Sequence, residues 1–420
     1  MIPLHPMPAV DQWCPYCHVR LEVNGWYMPG MRSLADLACS RCARTFYGDL
    51  PSGHGLHYPM LLEKSTGTVH DRFGGSWFAS WLQRSFATRS SIPIGFEAEE
   101  TPPLRRAVLL NCLDRLYGHC VLKLLNAQYY LDHRPDVGLI VLVPRNLRCL
   151  VPDGVSAVWT ADLPLERGIE WNDWLAQEIH RRICFLEECY LSVAFCHPHS
   201  ADIDIERFSR VKPFPLAEWD RRLQQPTVTF IWRADRAWAG SSSMLRCDRQ
   251  SRHVVALAMQ LREKFPRLDF AVAGMGKAGG LPTWITDLRV TECDVSTERA
   301  LCERYAKSHV VIGVHGSNML LPSAHAGAVV ELMPSDRWGN MIQDLLLQRD
   351  DQRETLFRYR IVPLTISVES LCDIVASVLS DRSPMLLHMQ RARCTHAFFS
   401  ETSEWSQARL ALREHQAIAQ

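Results

Sequence analysis

The stretch of residues 308–334, SHVVIGVHGSNMLLPSAHAGAVVELMP, contains two apolar runs on either side of a loop and a short segment with helical spacing. The first run, Val310–Val314, is followed at once by His315-Gly316, and the second places Glu331 at its end. Short β-branched runs bounded by turn residues are typical of strands buried on both faces. The stretch therefore predicts strand, tight turn, short helix and second strand, the unit from which α/β folds are built.

The same alternation of elements continues in both directions from this stretch. Further β-type runs are found at residues 107–110, 137–143, 155–159, 191–195, 227–232, 269–273 and 359–364. Helical spacing is found at residues 113–133, 171–188, 252–265 and 297–308. Two such sets in succession predict an α/β chain with two Rossmann-type lobes and a cleft between them.

Shifts in composition divide the chain into four parts. Residues 1–58 are rich in Cys, Gly, Pro and His and predict a small N-terminal module. Residues 59–225 are predicted to form the first lobe and residues 226–385 the second, joined by a proline-bearing connection near residues 202–226. Residues 386–420 are predicted to form a helical tail.

Charge and cysteine content exclude several classes of protein. The 420 residues include 46 basic and 46 acidic side chains without a basic stripe, so nucleic acid is not an expected partner. The 15 cysteines are odd in number and lie mostly alone in apolar stretches, as expected of reduced thiols in the cytoplasm. Neither a signal peptide nor a membrane-spanning run is evident, so any association with a membrane is expected to be peripheral.

Cys14, Cys17, Cys39 and Cys42 form two CxxC pairs with 21 residues between them. Each CxxC turn places two thiolates on one side of a knuckle, and two knuckles complete the tetrahedral four-sulfur shell that zinc prefers. Four thiolates leave no open position, which predicts a structural zinc. Two redox pairs are the alternative, although a thioredoxin-type motif would not occur twice at this spacing. The nearby histidines are not needed as ligands and are expected at the surface: His18, His54 and His57.

The turn at His315-Gly316 has the features of an anion site. Gly316 allows a ligand to approach closely, and Ser317 or Asn318 can cap the following helix, whose free N–H groups favour phosphate. Ligands of open α/β sheets bind at such carboxyl ends of strands. Glu331, at the end of the next strand, can accept hydrogen bonds from two ribose hydroxyls. The alternative is that His315 is a structural histidine at a strand end.

These residues resemble the signature of glycosyltransferase family 61, in which Gly-x-His-Gly-(Ala/Ser)-x-(Leu/Met) precedes an apolar patch, a small-residue turn and Val-(Val/Ile)-Glu-(Leu/Ile)-x-Pro. The matching positions are Gly313, His315, Gly316, Ser317, Met319, Gly327, Val329, Val330, Glu331, Leu332 and Pro334. Residues 230–236, FIWRADR, and 113–120, LDRLYGHC, are similar to elements of the family's donor and acceptor lobes. The N-terminal zinc-ribbon-like knuckle is an addition to the family's pattern.

The resemblance implies a GT-B fold and an inverting, metal-independent transfer of sugar from a nucleotide sugar to a glycan, lipid-linked or protein acceptor, as in polysaccharide biosynthesis. Arg233 would bind the diphosphate, because its fork of donors suits paired phosphate oxygens, and Arg236 would lie beside it in substrate binding. The alternative for Arg233 is a surface salt bridge to Asp235. His315 and the N–H groups after Gly316 would share the charge of the leaving group.

An inverting transfer also implies a base that takes the proton of the acceptor hydroxyl. Asp114 and His119 are the candidates. On one predicted helix they point about 140° apart, so only one of them is expected to face the cleft. His119 is favoured because its unperturbed pKa is near neutrality. A core or capping role is the alternative for His119.

Two further features bear on function. Residues 274–279, GMGKAG, match the GxGxxG pattern of dinucleotide sites, but Gly280-Leu-Pro282 breaks the helix that should follow, so a glycine-rich loop at the cleft is expected instead. The alternatives to the glycosyltransferase are a fucosyltransferase-like or other nucleotide-sugar enzyme, such as an epimerase, and a non-enzymatic zinc-ribbon adaptor. A nucleoside diphosphate should bind to the enzymes and not to the adaptor.

Overall fold

The computed structural model describes residues 1–71, 74–101, 104–238, 246–277, 279–291, 294–341, 346, 351–355 and 358–380. The predicted tail, residues 386–420, lies outside them. The strands are β1 (Ile2–His5), β2 (Glu22–Tyr27), β3 (Leu34–Ala38), β4 (Thr45–Asp49), β5 (Met60–Glu63), β6 (Val69–Asp71), β7 (Phe96–Glu100), β8 (Arg106–Asn111), β9 (Gly138–Pro144), β10 (Ala157–Ala161), β11 (Glu188–Leu191), β12 (Thr227–Arg233), β13 (Asp269–Met275), β14 (Thr286–Val290), β15 (Val310–Val314), β16 (Val329–Met333) and β17 (Tyr359–Pro363).

The helices lie between these strands. They are α1 (Ser76–Ala87), α2 (Tyr117–Leu125), α3 (Ala127–His133), α4 (Asp173–Ile183), α5 (Ile205–Ser209), α6 (Trp219–Arg222), α7 (Arg246–Lys264), α8 (Val295–Lys307), α9 (Leu320–His325), α10 (Gln352–Thr355) and α11 (Val368–Ser380). Among these described helices, none has the combination of length and apolar character needed to cross a bilayer.

The second lobe contains a sheet of six parallel strands in the order β14-β13-β12-β15-β16-β17. The strand that comes first in the chain, β12, lies near the centre. The chain builds outward from β12 on one side and from β15 on the other, so the topological switch point lies between β12 and β15. Every residue of β15 is buried, as expected for a central parallel strand covered on both faces.

The first lobe contains a sheet with the order β1-β11-β8-β9-β10-β7. Its four inner strands are parallel, and β1 and β7 pair antiparallel at the two edges. The chain runs from β8 to β9 and β10 on one side and then to β11 on the other, which places a second switch point between β8 and β11. The predicted fold class, α/β with a GT-B-like pair of Rossmann-type lobes, is confirmed.

The N-terminal part of the chain forms a third, antiparallel sheet in the order β2-β3-β4-β5-β6. The predicted module boundary at residue 58 falls between β4 and β5 of this sheet. The sheet packs directly on the first lobe, because Trp26 and Phe46 share a hydrophobic core with Leu109 and Ile140. The N-terminal sheet is therefore built into the first lobe.

The two lobes pack against each other near the carboxyl ends of their strands. Leu320 and Leu321 of the second lobe share a hydrophobic core with Val121 of α2. At the same interface the Tyr117 hydroxyl donates a hydrogen bond to Oε1 of Glu298 over 2.7 Å. Helix α2 is thus held against α8 and against the residues that follow β15.

Three buried histidines make the stability of this fold sensitive to acid. Burial lowers the pKa of His54, His309 and His325 to about 4, below the value of about 6.5 in an unfolded chain. Because only the unfolded chain is protonated between these values, the stabilisation is complete above about pH 6.5 and is lost as the pH falls toward 4. We expect the free energy of unfolding in urea to fall by on the order of 1–2 kcal/mol per histidine between about pH 7.5 and pH 5.

The variant His309→Gln isolates this effect from other acid-sensitive groups. Glutamine does not titrate, so the decrease in unfolding free energy should be smaller than in the wild type by about one histidine's share. The same decrease in both proteins would contradict the assignment of a neutral, buried His309.

Candidate functional site

The loop after β15 turns sharply at Gly316, at the switch point of the second sheet. Gly316 has a φ of 145°, which glycine adopts freely. A Cβ at this position would lie 2.6 Å from Nη1 of Arg233, so glycine lets the guanidinium lie over the turn. A short 3-10 helix, Ser317–Met319, and α9 follow. Neither of them has a side-chain cap within the described chain, so the predicted capping by Ser317 or Asn318 is wrong.

Two arginines, Arg233 at the end of β12 and Arg236 three residues beyond it, converge on this turn. Arg233 donates to Asp235 from Nε over 2.9 Å and from Nη2 over 2.5 Å, and its Nη1 donates to Oδ1 of Asn318 over 2.8 Å. The alternative interpretation of Arg233, a salt bridge to Asp235, is therefore present, although the Arg233 side chain is only 16% exposed. Arg236 donates to the carbonyl of His315 over 3.2 Å. Burial lowers the pKa of Arg236, and so does repulsion by the positive charge of Arg233. A bound anion would relieve this repulsion between the two guanidinium groups.

His315 and Glu331 are bound to each other in the interior. Nδ1 of His315 contacts Oε2 of Glu331, whose Oε1 accepts a hydrogen bond from the Tyr359 hydroxyl over 2.5 Å. The two side chains are 1% and 0% exposed. Glu331 lies in the middle of β16 and not at its end, because the strand continues to Met333. The predicted ribose contact does not fit this burial, and the pair instead holds the loop after β15 against β16.

A cavity of about 250 Å³ lies between the lobes, at the carboxyl ends of their strands. The polar residues that line it come from both lobes: Tyr117 and Asn146 from the first, and Arg233, Asp235, Glu298, Tyr305, Ser317 and Asn318 from the second. Leu301 and Leu321 supply part of an apolar wall. A concave site with a few polar groups at the switch point is where an open α/β sheet binds its ligand.

Asp114 occupies the corresponding place in the first lobe, after β8 at its switch point. Its side chain is completely buried. Oδ2 accepts a hydrogen bond from Nζ of Lys123 over 2.8 Å and lies 3.3 Å from Nε2 of His54. Oδ1 lies 3.4 Å from Nδ1 of His119. The ammonium of Lys123 also donates to the carbonyl of Leu113 over 2.9 Å, so the interior of this lobe holds a satisfied ion pair.

The predicted placement of Asp114 and His119 on a single helix is wrong. Helix α2 begins at Tyr117, and Asp114 lies in the preceding turn, where its Oδ1 accepts a hydrogen bond from the N–H of Leu116 over 3.2 Å. An aspartate that binds the amide two residues later stabilises a turn at the expense of a helix. The two side chains therefore meet, and both candidate bases belong to one cluster.

Sequence reasoning missed two members of this cluster, His54 and Lys123. His54 lies in the 3-10 helix Gly53–Leu56 of the N-terminal module and is buried, contrary to the surface position predicted for it. Its Nε2 lies 3.1 Å from Nδ1 of His119. A Cβ on Gly53 would lie 3.2 Å from Cε of Lys123, so the glycine leaves room for the lysine. The local signal for Lys123 was a single charge within the apolar run of residues 120–125.

The charges of the cluster determine where its protons lie. Burial raises the pKa of Asp114, but Lys123 and the hydrogen bonds from His119 and His54 hold it well below its ordinary value. Burial lowers the pKa of Lys123, and the attraction of Asp114 outweighs it, so that the pKa is raised. His54 is neutral near pH 7 because burial lowers its pKa to about 4.

His119 is placed to act as a base. Its side chain is 17% exposed, and Nδ1 faces Asp114 and His54. No group in the described part of the chain forms a hydrogen bond with its Nε2. A histidine oriented by a buried carboxylate through one nitrogen can accept a proton at the other.

The cysteine quartet has the geometry of a tetrahedral metal site. The Sγ atoms are 3.4 Å apart for Cys14 and Cys17, 3.4 Å for Cys17 and Cys39, and 3.7 Å for Cys14 and Cys42. Zinc–sulfur bonds of about 2.3 Å give a tetrahedral edge of about 3.8 Å, close to these separations. The four sulfurs therefore fit a zinc ion with four thiolate ligands.

The backbone repeats the same turn around each cysteine pair. The N–H of His18 donates to the carbonyl of Cys14 over 3.0 Å, and the N–H of Ala43 donates to the carbonyl of Cys39 over 2.9 Å. His18 and Ala43 have positive φ values of 53° and 56°, which non-glycine residues seldom adopt. The same turn therefore occurs at both cysteine pairs, which fits two knuckles that share one metal.

A second group, His54, Asp114 and Cys196, also has potential metal-ligating atoms within 4.8 Å of one another. The ammonium of Lys123 lies 2.8 Å from the Asp114 carboxylate, so a divalent ion would meet a buried positive charge. In this cluster the Lys123 ammonium supplies the positive charge that balances the Asp114 carboxylate.

The glycine-rich segment after β13 does not form a dinucleotide site. Strand β13 continues to Met275, and the element that follows in the described chain is β14, where the motif requires a helix. A Cβ on Gly274 would lie 2.3 Å from the carbonyl of Trp232, so this glycine allows close contact with β12. Gly274 and Met275 line the cavity between the lobes.

No protein-family model matches the chain, and no curated protein matches it in sequence. Among solved structures it is similar to a Listeria monocytogenes protein described as a UDP-N-acetylglucosamine 2-epimerase, with 11% identity and a TM-score of 0.35 over 69% of this chain and 91% of that one. It is also similar to E. coli ADP-heptose LPS heptosyltransferase II, with 12% identity and a TM-score of 0.34 over 66% and 98%. The E. coli heptosyltransferase WaaC with ADP gives 8% and 0.31 over 65% and 97%. Similarity this low does not indicate a function for this chain.

Proposed function

We propose that the protein is an inverting glycosyltransferase that binds a nucleotide-sugar donor between its lobes. The observation that carries the proposal is the position of the cavity, at the switch point of a doubly wound sheet, with Arg233 in its wall. Rossmann-type sheets bind nucleotides at this point, and a guanidinium fork suits the paired oxygens of a diphosphate. Helix α2, which carries His119, closes the cavity from the other lobe through Tyr117.

In this proposal the donor lies on the second lobe. Arg233 exchanges its contacts with Asp235 for the diphosphate, and Arg236 adds a second positive charge beside Gly316. Ser317 and Asn318 supply hydrogen bonds from the cavity wall. His315 and Glu331 act as positioning residues, because they fix the loop from beneath without lining the cavity.

The proposed reaction uses the Asp114 cluster on the acceptor. Nε2 of His119 takes the proton of the acceptor hydroxyl while the oxygen attacks the anomeric carbon from the face opposite the diphosphate. The bond between that carbon and the diphosphate oxygen breaks, and the nucleoside diphosphate leaves with its charge stabilised by Arg233 and Arg236. Asp114 holds the ring of His119 in place and stabilises its protonated form, as the carboxylate of a catalytic triad does.

We further propose that the cysteine quartet holds a structural zinc and that the protein works in the cytoplasm. A shell of four thiolates is closed to substrate, so the metal stabilises the module and takes no part in the transfer. Free thiols in the described chain agree with a reducing compartment.

Binding of a nucleoside diphosphate tests the proposed donor site. A saturating nucleoside diphosphate should raise the midpoint of thermal unfolding by several degrees, since a ligand at about 100 times its Kd stabilises by about 2.7 kcal/mol. Arg233→Ala and Arg236→Ala should each weaken binding about tenfold or more, because charge-assisted hydrogen bonds are lost. The measurement is isothermal titration with UDP, GDP and ADP.

Arg299→Ala is a matched control for these variants. Arg299 is on α8, 62% exposed, and forms an ion pair on the surface with Glu303. Its removal should leave nucleotide affinity unchanged.

If no nucleoside diphosphate binds, the non-enzymatic zinc-ribbon adaptor becomes the better interpretation. If one binds, incubation with the matching nucleotide sugars distinguishes transfer from epimerisation by the product.

A further inference from the structure

A row of aromatic rings runs from the surface to the proposed base. Ring centroids are 4.9 Å apart for Trp81 and Trp77, 5.3 Å for Trp77 and His54, and 4.7 Å for His54 and His119. Tyr58 lies beside the row, 5.9 Å from Trp77. Two ring contacts therefore separate the indole of Trp77, on α1, from the histidine assigned as base.

The tryptophan end of this row reaches solvent at Trp77. Trp77 is 40% exposed, and Trp81, one turn along α1, is partly buried against it. Helix α1 is anchored from below by Phe78 and Leu82, which pack in the core of the N-terminal sheet. The indoles are thus held on a rigid helix and do not depend on a loop for their position.

We propose that the exposed indole of Trp77 forms a platform that binds a sugar ring of the acceptor, with the rings of Trp81 and Tyr58 standing beside it at interplanar angles of 79° and 74°. The assignment deepens the proposed function, on which it rests, by naming a carbohydrate as the acceptor class. A pyranose has a face of C–H groups that packs on the flat apolar surface of an indole. A sugar stacked on Trp77 would lie two ring contacts from His119, by way of His54.

The polar groups around the platform fit a hydroxylated ligand better than a hydrocarbon chain. The guanidinium carbon of Arg115 lies 5.6 Å from the centre of the Trp81 ring, and the Arg115 side chain is exposed. His119, at the other end of the row, is partly exposed. Hydrogen-bonding groups therefore stand at both ends of an apolar surface, the combination that fixes the orientation of a bound ligand.

Saturation-transfer NMR tests the platform directly. The probes are methyl glycosides of glucose, mannose and N-acetylglucosamine, measured with a saturating nucleoside diphosphate present. We expect transfer from the wild type to at least one glycoside, strongest at the protons of a single ring face. Trp77→Gln and Trp81→Gln should each weaken binding about three- to tenfold, whereas Trp77→Phe should retain most of it, because an aromatic face remains.

Trp284→Gln is the matched control, since Trp284 is 39% exposed and belongs to the other lobe. Its affinity for the glycosides should equal that of the wild type. The platform is refuted if no glycoside receives saturation, or if the Trp77 and Trp81 variants bind as well as the control variant. Trp81→Gln keeps the test valid if Trp77→Gln disturbs His54, because Trp81 contacts Trp77 in the row and not His54. A nucleotide titration on the same samples shows separately whether the donor site fails.

Discussion

Replacement of Cys39 by serine should empty the metal site and destabilise the N-terminal half of the protein. Three thiolates bind zinc much more weakly than four, and binding of structural zinc contributes about 10–16 kcal/mol in isolated zinc-finger peptides. Part of this free energy stabilises the fold here, because Cys14 and Cys39 lie in the core that the module shares with Leu109 and Ile140. We therefore expect the zinc content to fall from about one equivalent to near zero, with a loss of several kcal/mol in unfolding free energy.

Elemental analysis and thermal unfolding measure the two parts of this prediction. Cys184→Ser is the control, because Cys184 is an exposed thiol outside the quartet and its replacement should change neither result. Elemental analysis also distinguishes zinc from iron, which four thiolates bind in the same geometry. Wild-type protein without a metal, or an unchanged metal content in Cys39→Ser, would refute the site.

The buried ion pair of Asp114 and Lys123 should be the other position at which a single substitution has a large effect. Asp114→Asn leaves the ammonium of Lys123 in the core without its counter-charge, and Lys123→Met does the same to the carboxylate. Loss of one partner of a buried pair costs about 3–5 kcal/mol, whereas loss of both can be nearly neutral. We expect each single variant to lose about that much unfolding free energy, and the double variant to recover most of it.

Urea denaturation of the four proteins gives the coupling between the two side chains. Asp373→Asn is a suitable control, since the pair of Asp373 with Lys264 is 72% and 45% exposed and its loss should cost less than about 1 kcal/mol. Additive effects of the two single variants would mean that Asp114 and Lys123 do not stabilise each other. These measurements need no substrate and are independent of the proposed reaction.

The strands that could be predicted from sequence are those buried on both faces. Strand β16 begins and ends where its apolar run does, at Val329–Met333, because a central parallel strand has no exposed side. Strand β11, Glu188–Leu191, was predicted at residues 191–195, so its predicted start is three residues too late. It alternates half-buried with buried residues and carries Glu188 and Tyr190, so its apolar pattern is interrupted.

The polar clusters could be predicted only in part, because their members come from distant parts of the chain. The CxxC spacing indicates all four cysteines, since the ligands of each knuckle are neighbours in sequence. Nothing local indicates that His54 meets His119, because that contact depends on how the N-terminal module packs on the first lobe. The burial of Glu331 could not be predicted either, because the register of β16 is fixed by the neighbouring strands β15 and β17.

Strand β1 constrains the order in which the strands of the first lobe can pair. Ile2 pairs with Leu191, so this edge strand is synthesised long before its partner strand β11. The strands β2 to β6 pair only with their neighbours in sequence and can form a hairpin stack early. Contacts that span so much chain form slowly, and until β11 is synthesised β1 has no partner in the sheet. Completion of the first sheet is therefore a late event, and aggregation is most probable before it.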